Sequence, residues 1–430
     1  MHDYLRSGDV APPWGGIDPQ DTERAVRLRS PDGTIPYVML LVFIVAMYGV
    51  VQWTVPALRS ARPALTLGLG AISVLLVERT MSGRRFRLSW PEGHALVAFF
   101  GAAALSSINA LWPRFAVENT IDFGKTLVLY LLIVNVVSTR ARLRGLIWTM
   151  ALAGVLPARG TINNYLIGNV LEGDRAAWVG KFSGPNEVAF ELVILIPLAV
   201  ALMGTARWWG RLLLCGALAV YLPAIFFTYS RSGLLGLGAM AAVGVLRLRS
   251  HVMRALAVVG IVAAVAIGMQ FWERDEGFED LENDTTFNQR LTSIQVGLAM
   301  LRARPAFGIG LGCSSIGYRS FSPDPFSTGK EVMIHNTIVQ ALAETGLVGF
   351  SLLLGATLVV MVRMRRVRAL VGFVDPELRA YANAVELAVI AFAVAGLANG
   401  FVMATAPYLL IALGSATWGV VVSERQGETA

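Results

Sequence analysis

Cysteine is scarce in this chain, with only Cys215 and Cys313 among 430 residues. Cys215 lies inside an apolar run and Cys313 in a polar segment, so we expect neither a disulfide framework nor a cysteine-based metal site. The sequence also lacks the CxxC, HExxH and Walker-type patterns that hold metals or nucleotides. We therefore predict no metal site and no cofactor.

Charged residues are scarce as well. They make up 15% of the chain, against 55% for apolar residues, whereas a soluble domain carries about 25% charged residues. The net charge of +7 does not indicate a nucleic-acid partner, because the arginines are spread through short segments and do not cluster on one soluble domain.

Long apolar runs take the place of the missing charge. Many approach or exceed the ~18 residues that indicate a membrane span, and each must be helical because hydrocarbon cannot satisfy open backbone groups. We predict an all-α, polytopic membrane protein with about twelve transmembrane helices. The runs are 36–53, 63–77, 94–111, 124–137, 143–157, 187–203, 212–227, 230–246, 253–271, 337–362, 380–401 and 405–422.

The distribution of arginine orients these runs. Cytoplasmic loops of membrane proteins are enriched in Lys and Arg. In this chain most of the arginines lie in every second loop, and these loops are on the same side of the membrane as the N-terminal segment. We therefore expect both termini in the cytoplasm. The alternate loops carry Arg79, Arg84, Arg85 and Arg87, then Arg140, Arg142 and Arg144, Arg207 and Arg211, Arg247, Arg249 and Arg254, and finally Arg363, Arg365, Arg366 and Arg368.

This orientation divides the chain into segments. Residues 1–35 are predicted to be a disordered cytoplasmic tail, 36–423 the transmembrane domain and 424–430 a short cytoplasmic tail. Two external loops are long, 159–186 and 272–334, the second between spans nine and ten. Long loops in compact proteins are often functional. Apolar residues within 286–301 follow a partly helical spacing, which predicts an amphipathic helix at the membrane surface.

Basic residues are rare at the predicted external face, so each is a candidate for a role other than topology. Arg231 begins an apolar run there, and it is either an anion-binding group or a side chain that extends toward the headgroups. Arg290 lies on the predicted loop helix, while Arg159, Arg175 and Lys181 fall in the first external loop. Because a guanidinium group binds two oxygens at once, these residues together predict a phosphate or diphosphate site.

His335 stands where the second external loop enters the tenth run. The positive end of a helix dipole disfavours protonation there, and a neutral imidazole accepts a proton as a general base. The alternative is a histidine that only caps the helix. Upstream, Gly308, Gly310 and Gly312 form a GxGxG pattern without a βαβ context, so we interpret it as a tight turn that returns the loop to the membrane.

Several short motifs follow one another in a defined order. They are FSGPNEVA at 182–189, SRSG at 230–233, Arg290, an Arg-Pro pair at 304–305 followed by Gly308 and Gly310, and His335-Asn336 with Glu344-Thr345-Gly346 downstream. In this order, within a twelve-span frame, they resemble the O-antigen ligase and polymerase superfamily of WaaL- and Wzy-like proteins. The resemblance covers most of the chain and is densest from residue 182 onward.

The resemblance implies an inverting, metal-independent glycosyltransferase of the GT-C type on the periplasmic side of the bacterial inner membrane. Its expected partners are a glycan donor on undecaprenyl diphosphate, a lipid A-core or other glycan acceptor, and membrane lipids. By position, Arg231 and Arg290 correspond to the arginines that hold the diphosphate, and Arg175 to a basic residue before the asparagine motif. His335 corresponds to the loop histidine that activates the acceptor hydroxyl.

Other interpretations remain open. A Wzy-type polymerase, which joins lipid-linked repeat units, needs the same donor site as a ligase. A polytopic transporter is an alternative of a different class, although no pair of broken helices is evident. Glu191, Glu344 and Glu386 lie within apolar runs, where each can be a hydrogen-bond partner between helices. A protein associated with bicarbonate uptake is the last alternative.

Overall fold

The structure, a computed structural model, describes residues 33–248, 250–270, 285–322, 333–372 and 374–428. This part of the chain is 78% helix and contains no strand, which confirms the predicted all-α fold class. Most of the predicted tail over 1–35 lies outside the described residues, as do 272–284 and 323–332 of the long external loop.

The α-helices are labelled here in chain order. They are α1 (Thr34–Tyr48), α2 (Val51–Thr54), α3 (Pro63–Met81), α4 (Glu92–Ile108), α5 (Pro113–Val136), α6 (Arg140–Ala153), α7 (Val155–Leu166), α8 (Pro185–Met203), α9 (Trp208–Phe227), α10 (Arg231–Leu246), α11 (His251–Gln270), α12 (Thr285–Ala303), α13 (Ser314–Phe321), α14 (Thr337–Val371), α15 (Pro376–Ala395) and α16 (Thr405–Glu428). Short 3₁₀ helices occupy Pro56–Leu58 and Gly180–Phe182.

Among the described residues, seven helices are long and apolar enough to cross a membrane. They are α3, the continuous pair α6–α7, α8, α9, α14, α15 and α16. Four further apolar helices are shorter: α1, α4, α10 and the His251–Ala263 part of α11. The remaining predicted run falls on α5, whose first half carries the charged residues Arg114, Glu118 and Asp122. Each predicted run therefore falls on a helix, but the run 380–401 continues past the end of α15 at Ala395. The count of twelve spans stays a prediction.

Helix α14 contains a break that the sequence analysis did not anticipate. Gly346 has φ 66° and ψ −169°, a backbone conformation essentially limited to glycine. Beyond the break, the Leu347 N–H donates to the Pro305 carbonyl at 2.9 Å and the Val348 N–H to the Ala306 carbonyl at 3.1 Å. The segment before the GxGxG pattern thus supplies carbonyl acceptors for two N–H groups that would bond to carbonyls of the same helix if α14 were continuous.

The GxGxG segment forms the turn that lies against this break. Gly308, Gly310 and Gly312 have φ of 70°, 114° and 74°, all in the region that favours glycine. Between them, the Ile309 N–H donates to the Ala343 carbonyl at 2.9 Å. The predicted tight turn is confirmed, and the element on which it docks is the broken helix.

Arginines of the predicted cytoplasmic loops meet carboxylates at one end of the bundle. Arg140, at the start of α6, pairs with Asp375 before α15 and with Glu424 in α16. Arg144 pairs with Glu377 at 2.5 Å. The starts of α6 and α15 and the end of α16 therefore lie together, at what we call the arginine-rich end.

Glu386 forms ion pairs with further arginines of the predicted cytoplasmic loops. Its side chain is 1% exposed, and Arg247, Arg365 and Arg368 approach it at 3.0, 3.1 and 2.5 Å. A buried carboxylate requires such pairing because an isolated buried charge is strongly destabilising. The ends of α10 and α14 thus also lie at the arginine-rich end, and Glu386 is a partner between helices, as expected.

Both ends of the described chain lie at the arginine-rich end. The Thr34 hydroxyl, where α1 begins, accepts a hydrogen bond from Arg142 at 3.3 Å, and Glu424 in α16 pairs with Arg140. The starts of α10 and α14 lie at the opposite end of the bundle, because their C-terminal parts carry Arg247 and Arg368.

The first external loop is shorter than the predicted 159–186. Helix α7 continues to Leu166 and α8 begins at Pro185, so Arg159 lies on a helix. Pro157 occupies the first turn of α7, where its missing N–H removes no helical hydrogen bond. The proline that marks the end of the apolar run therefore does not end the helix.

The second external loop contains the helix that the apolar spacing predicts, α12, over slightly wider bounds than 286–301. Val296 and Met300 on α12 are fully buried, and the helix packs against α14. The prediction of a helix is confirmed. Its location at the membrane surface stays a prediction.

We predict that Gly346→Ala lowers the melting temperature of the purified protein in detergent. A methyl group there would press on the Ala306 carbonyl in a left-handed backbone conformation, at a cost on the order of 1–3 kcal/mol. Gly355→Ala is the matched control, since Gly355 lies in the same helix with open space at its Cβ position. Equal melting temperatures for the two variants would contradict the break at Gly346.

Candidate functional site

Three helices begin close together at the end of the bundle opposite to the arginine-rich end. Ser230, which caps α10, donates to Asn186 in the first turn of α8 at 2.8 Å. Asn186 Nδ2 donates to Asn399 Oδ1 at 2.9 Å, and the Asn399 carbonyl accepts from the hydroxyl of Thr337, the first residue of α14, at 2.7 Å. Because helix N-termini carry partial positive charge, three of them together favour an anion.

Asn399 also contacts the second serine of the SRSG motif. Its side-chain amide donates to the Ser232 hydroxyl, which lies 3.1 Å from the Ser230 hydroxyl. Asn399 is 4% exposed and Ser232 2% exposed, so these contacts are shielded from water. We call Asn186, Ser230, Ser232, Thr337 and Asn399 the polar network.

Arg231 adjoins this network in the sequence. It is the first residue of α10, stands between the two serines and is 9% exposed. Its charge is therefore screened less than it would be in water.

Arg175 joins the network from the loop between α7 and α8. Its Nη2 donates to Asn186 Oδ1 at 2.7 Å, and its Nε donates to the Thr228 carbonyl at 3.2 Å. A single antiparallel bridge with Leu171 holds its backbone. Arg175, one of the three arginines predicted to bind diphosphate, is thus held within this set of hydrogen bonds.

The loop helix α12 brings the third arginine to His335. The backbone N–H of His335 donates to Ser293 Oγ at 3.3 Å, and the Ser293 hydroxyl donates to the Arg290 carbonyl at 2.8 Å. Burial lowers the pKa of His335 below its ordinary value of 6.5, and the guanidinium groups of Arg290 and Arg175 lower this pKa further. Both effects favour the neutral form of the imidazole at pH 7, which is the form that a general base requires.

The other basic residues of the first loop are placed elsewhere. Arg159 is exposed on α7. Lys181 pairs with Glu191 of α8 at 3.5 Å and lies 4.6 Å from the centre of the Tyr48 ring. Of the three residues, Arg175 is the one that hydrogen-bonds to the network, and a pocket shared by all three stays a prediction.

Sequence reasoning missed Asn399 and Thr337. Asn399 is a lone amide in the short linker between α15 and α16, and Thr337 looks like an ordinary first helical residue. Asn186 and Ser230, by contrast, stand within the motifs that carry the family resemblance. The one signal for Asn399 was a polar residue near the end of the apolar run 380–401, a position that many structural amides share.

A comparison with protein families identifies the central part of the chain. The family model described as O-antigen ligase matches residues 216–354. Residues 216–354 match an O-antigen ligase domain. The match supports the predicted resemblance to the O-antigen ligase and polymerase superfamily. That family implies a membrane glycosyltransferase-like enzyme with a lipid-linked glycan and a glycan acceptor as partners. No curated protein matches the chain.

The O-antigen ligase domain contains only part of the site. Arg231, Arg290 and His335 lie within the matched segment, which runs from α9 into α14. Arg175 and Asn399 lie outside it. The polar network therefore joins the O-antigen ligase domain to the chain on both sides of it.

We predict that Arg290→Gln raises the pKa of His335, because it removes a positive charge that disfavours protonation of the ring. The measurement is carbethoxylation of neutral imidazole as a function of pH, quantified at His335 by peptide mass spectrometry. The midpoint should move to higher pH in this variant. Arg302→Gln, an exposed position on the same helix, should leave the midpoint unchanged. An unshifted midpoint in Arg290→Gln would contradict the placement of this arginine.

Proposed function

We propose that this protein transfers a glycan from undecaprenyl diphosphate to an acceptor hydroxyl, as an O-antigen ligase acting on lipid A-core. The observation that carries the proposal is the convergence of three helix starts with Arg231 and Arg175, beside a neutral His335. Fixed positive groups suit the diphosphate of the donor, and a neutral imidazole suits the acceptor hydroxyl.

The reaction follows from these roles. The acceptor oxygen forms a bond to the anomeric carbon while the bond from that carbon to the diphosphate oxygen breaks, which inverts the anomeric centre. Negative charge develops on the departing lipid diphosphate, and Arg231, Arg290 and Arg175 stabilise it. His335 takes the proton of the acceptor hydroxyl. In this proposal the arginines supply the positive charge, and no metal or cofactor takes part.

We place the reaction at the periplasmic face of the bacterial inner membrane. The arginine-rich end would face the cytoplasm under the positive-inside rule, with both termini there and about twelve spans across 36–423. The polar network then lies at the opposite face, with the external loops that we predict near 159–186 and 272–334. Membrane helices hold the lipid tail of the donor, and α12 helps position the acceptor.

A Wzy-type polymerase is the second candidate, because the matched family supports ligases and polymerases alike. Both reactions use the same donor, so the donor site does not separate them. The acceptor does separate them. A ligase transfers the donor glycan to lipid A-core, whereas a polymerase transfers it to a second lipid-linked repeat unit. Assays that offer each acceptor separately distinguish the two.

We predict that Arg231→Lys loses roughly ten- to a hundredfold in transfer rate, because lysine keeps the charge but not the two-point contact with oxygens. Transfer is measured with purified protein and a lipid-linked donor. Arg114→Lys is the control, at an exposed arginine of the same predicted face that pairs with Glu118 within its own helix. Normal transfer by Arg231→Lys would argue against its diphosphate role.

We predict that His335→Ala abolishes transfer while donor binding stays nearly intact. Loss of a positioned base costs on the order of a hundred- to ten-thousandfold in rate, whereas loss of a helix cap costs about 1 kcal/mol of stability. Donor binding and product formation are measured separately, with folding checked by thermal melting. A folded variant with near wild-type transfer would refute the catalytic role. Failure to bind donor would move His335 to the diphosphate site.

A further inference from the structure

The linker between α15 and α16 wraps around the start of α14. The Gly396 carbonyl accepts from the Thr337 N–H at 2.7 Å, and the Leu397 carbonyl accepts from Asn336 Nδ2 at 3.0 Å. The Phe401 N–H donates back to the Thr337 hydroxyl at 3.1 Å. His335 directly precedes these residues, so the linker holds the short segment that carries the proposed base.

The same linker reaches the arginine side of the site through one side chain. Asn399 Oδ1 accepts from Asn186, and Asn399 Nδ2 donates to Ser232. Asn186 in turn accepts from Arg175 at 2.7 Å, and Ser232 directly follows Arg231. Both hydrogen-bonding atoms of this buried amide thus point to groups that hold the proposed diphosphate-binding arginines.

The linker lies outside the segment that matches the O-antigen ligase family, which ends at residue 354. Its hydrogen bonds bring together parts of the chain that are far apart in sequence: Asn186 and Asn399 are 213 residues apart. The backbone of the linker binds one side of the site, and its Asn399 side chain binds the other side.

We propose that Asn399 is a positioning residue that sets the separation between the arginines and His335. This inference rests on the proposed function, because it assigns the arginines to the donor and His335 to the acceptor. Asn399 itself touches no reacting atom. It acts by tying the start of α14 to the starts of α8 and α10, and displacement of a catalytic group by about 1 Å can cost on the order of a hundredfold in rate.

The test compares Asn399→Leu with Asn383→Leu in the full-length protein. Asn383 lies on α15 near the arginine-rich end, where it accepts a hydrogen bond from Arg247 at 2.5 Å. Both variants replace a buried or half-buried amide of the same helix–linker unit, so Asn383→Leu controls for the general effect of removing such an amide. We expect kcat to fall roughly ten- to a hundredfold in Asn399→Leu alone, with donor affinity changed much less than kcat.

A second measurement does not depend on transfer. If Asn399 holds His335 close to Arg175, Asn399→Leu should move the carbethoxylation midpoint of His335 toward higher pH, because a repelling cation becomes more distant. Asn383→Leu should leave the midpoint at its wild-type value. A purely stabilising amide would lower the melting temperature without shifting this midpoint or the ratio of kcat to donor affinity.

Thr337→Val provides a smaller perturbation if Asn399→Leu does not fold. It keeps the side-chain shape but removes the hydroxyl that binds the linker at Asn399 and Phe401, so both measurements should move in the same directions. Unshifted midpoints in the folded variants would overturn the proposal. If wild-type protein transfers no glycan, the proposed function fails, whereas the His335 titration still decides whether Asn399 sets the geometry.

Discussion

Hydrocarbon offers no hydrogen bonds to a polypeptide, so a chain that crosses a membrane must satisfy its backbone within helices. Polar chemistry is then restricted to places where helices start, end or break. The candidate site follows this constraint closely. Its polar network consists of residues at the starts of α8, α10 and α14 and in the linker before α16. The N–H groups of a helix start are not bonded within the helix, and three such starts supply positive potential before any arginine is counted.

The two ends of the bundle use arginine in different ways. At the arginine-rich end, Arg140, Arg144 and Arg368 are paired with carboxylates of other helices. These ion pairs largely neutralise the arginines and hold the helices together. At the other end, Arg175 hydrogen-bonds to the neutral oxygens of Asn186 and Thr228. These neutral acceptors orient the guanidinium group of Arg175, and the carboxyl group of Glu187 in the first turn of α8 interacts with its charge.

Sequence patterns predicted the features that depend on local chemistry. Apolar runs located the helices, the spacing within 286–301 located α12, and the GxGxG pattern located a turn. Features that depend on distant contacts were not accessible. The break at Gly346 follows from docking of the segment around Pro305, and Asn399 matters because of residues more than 150 positions away. The run 143–157 stops short of the end of α7 at Leu166, because the polar residues from Arg159 onward interrupt the apolar pattern but not the helix.

The break at Gly346 gives the segment that follows His335 an independent support. Residues 337–345 form a short helical piece whose start is held by the linker after α15. Its other end is held by Glu344, which accepts from the Gly312 N–H at 2.9 Å and from the Ser314 hydroxyl at 2.5 Å. The longer part of α14 beyond Gly346 extends to the arginine-rich end. Because the backbone changes direction at Gly346, the orientation of the short piece is set by the connections at its own end of the bundle. The position of His335 therefore depends on the linker and the GxGxG turn more than on the packing of the membrane-spanning part of its own helix.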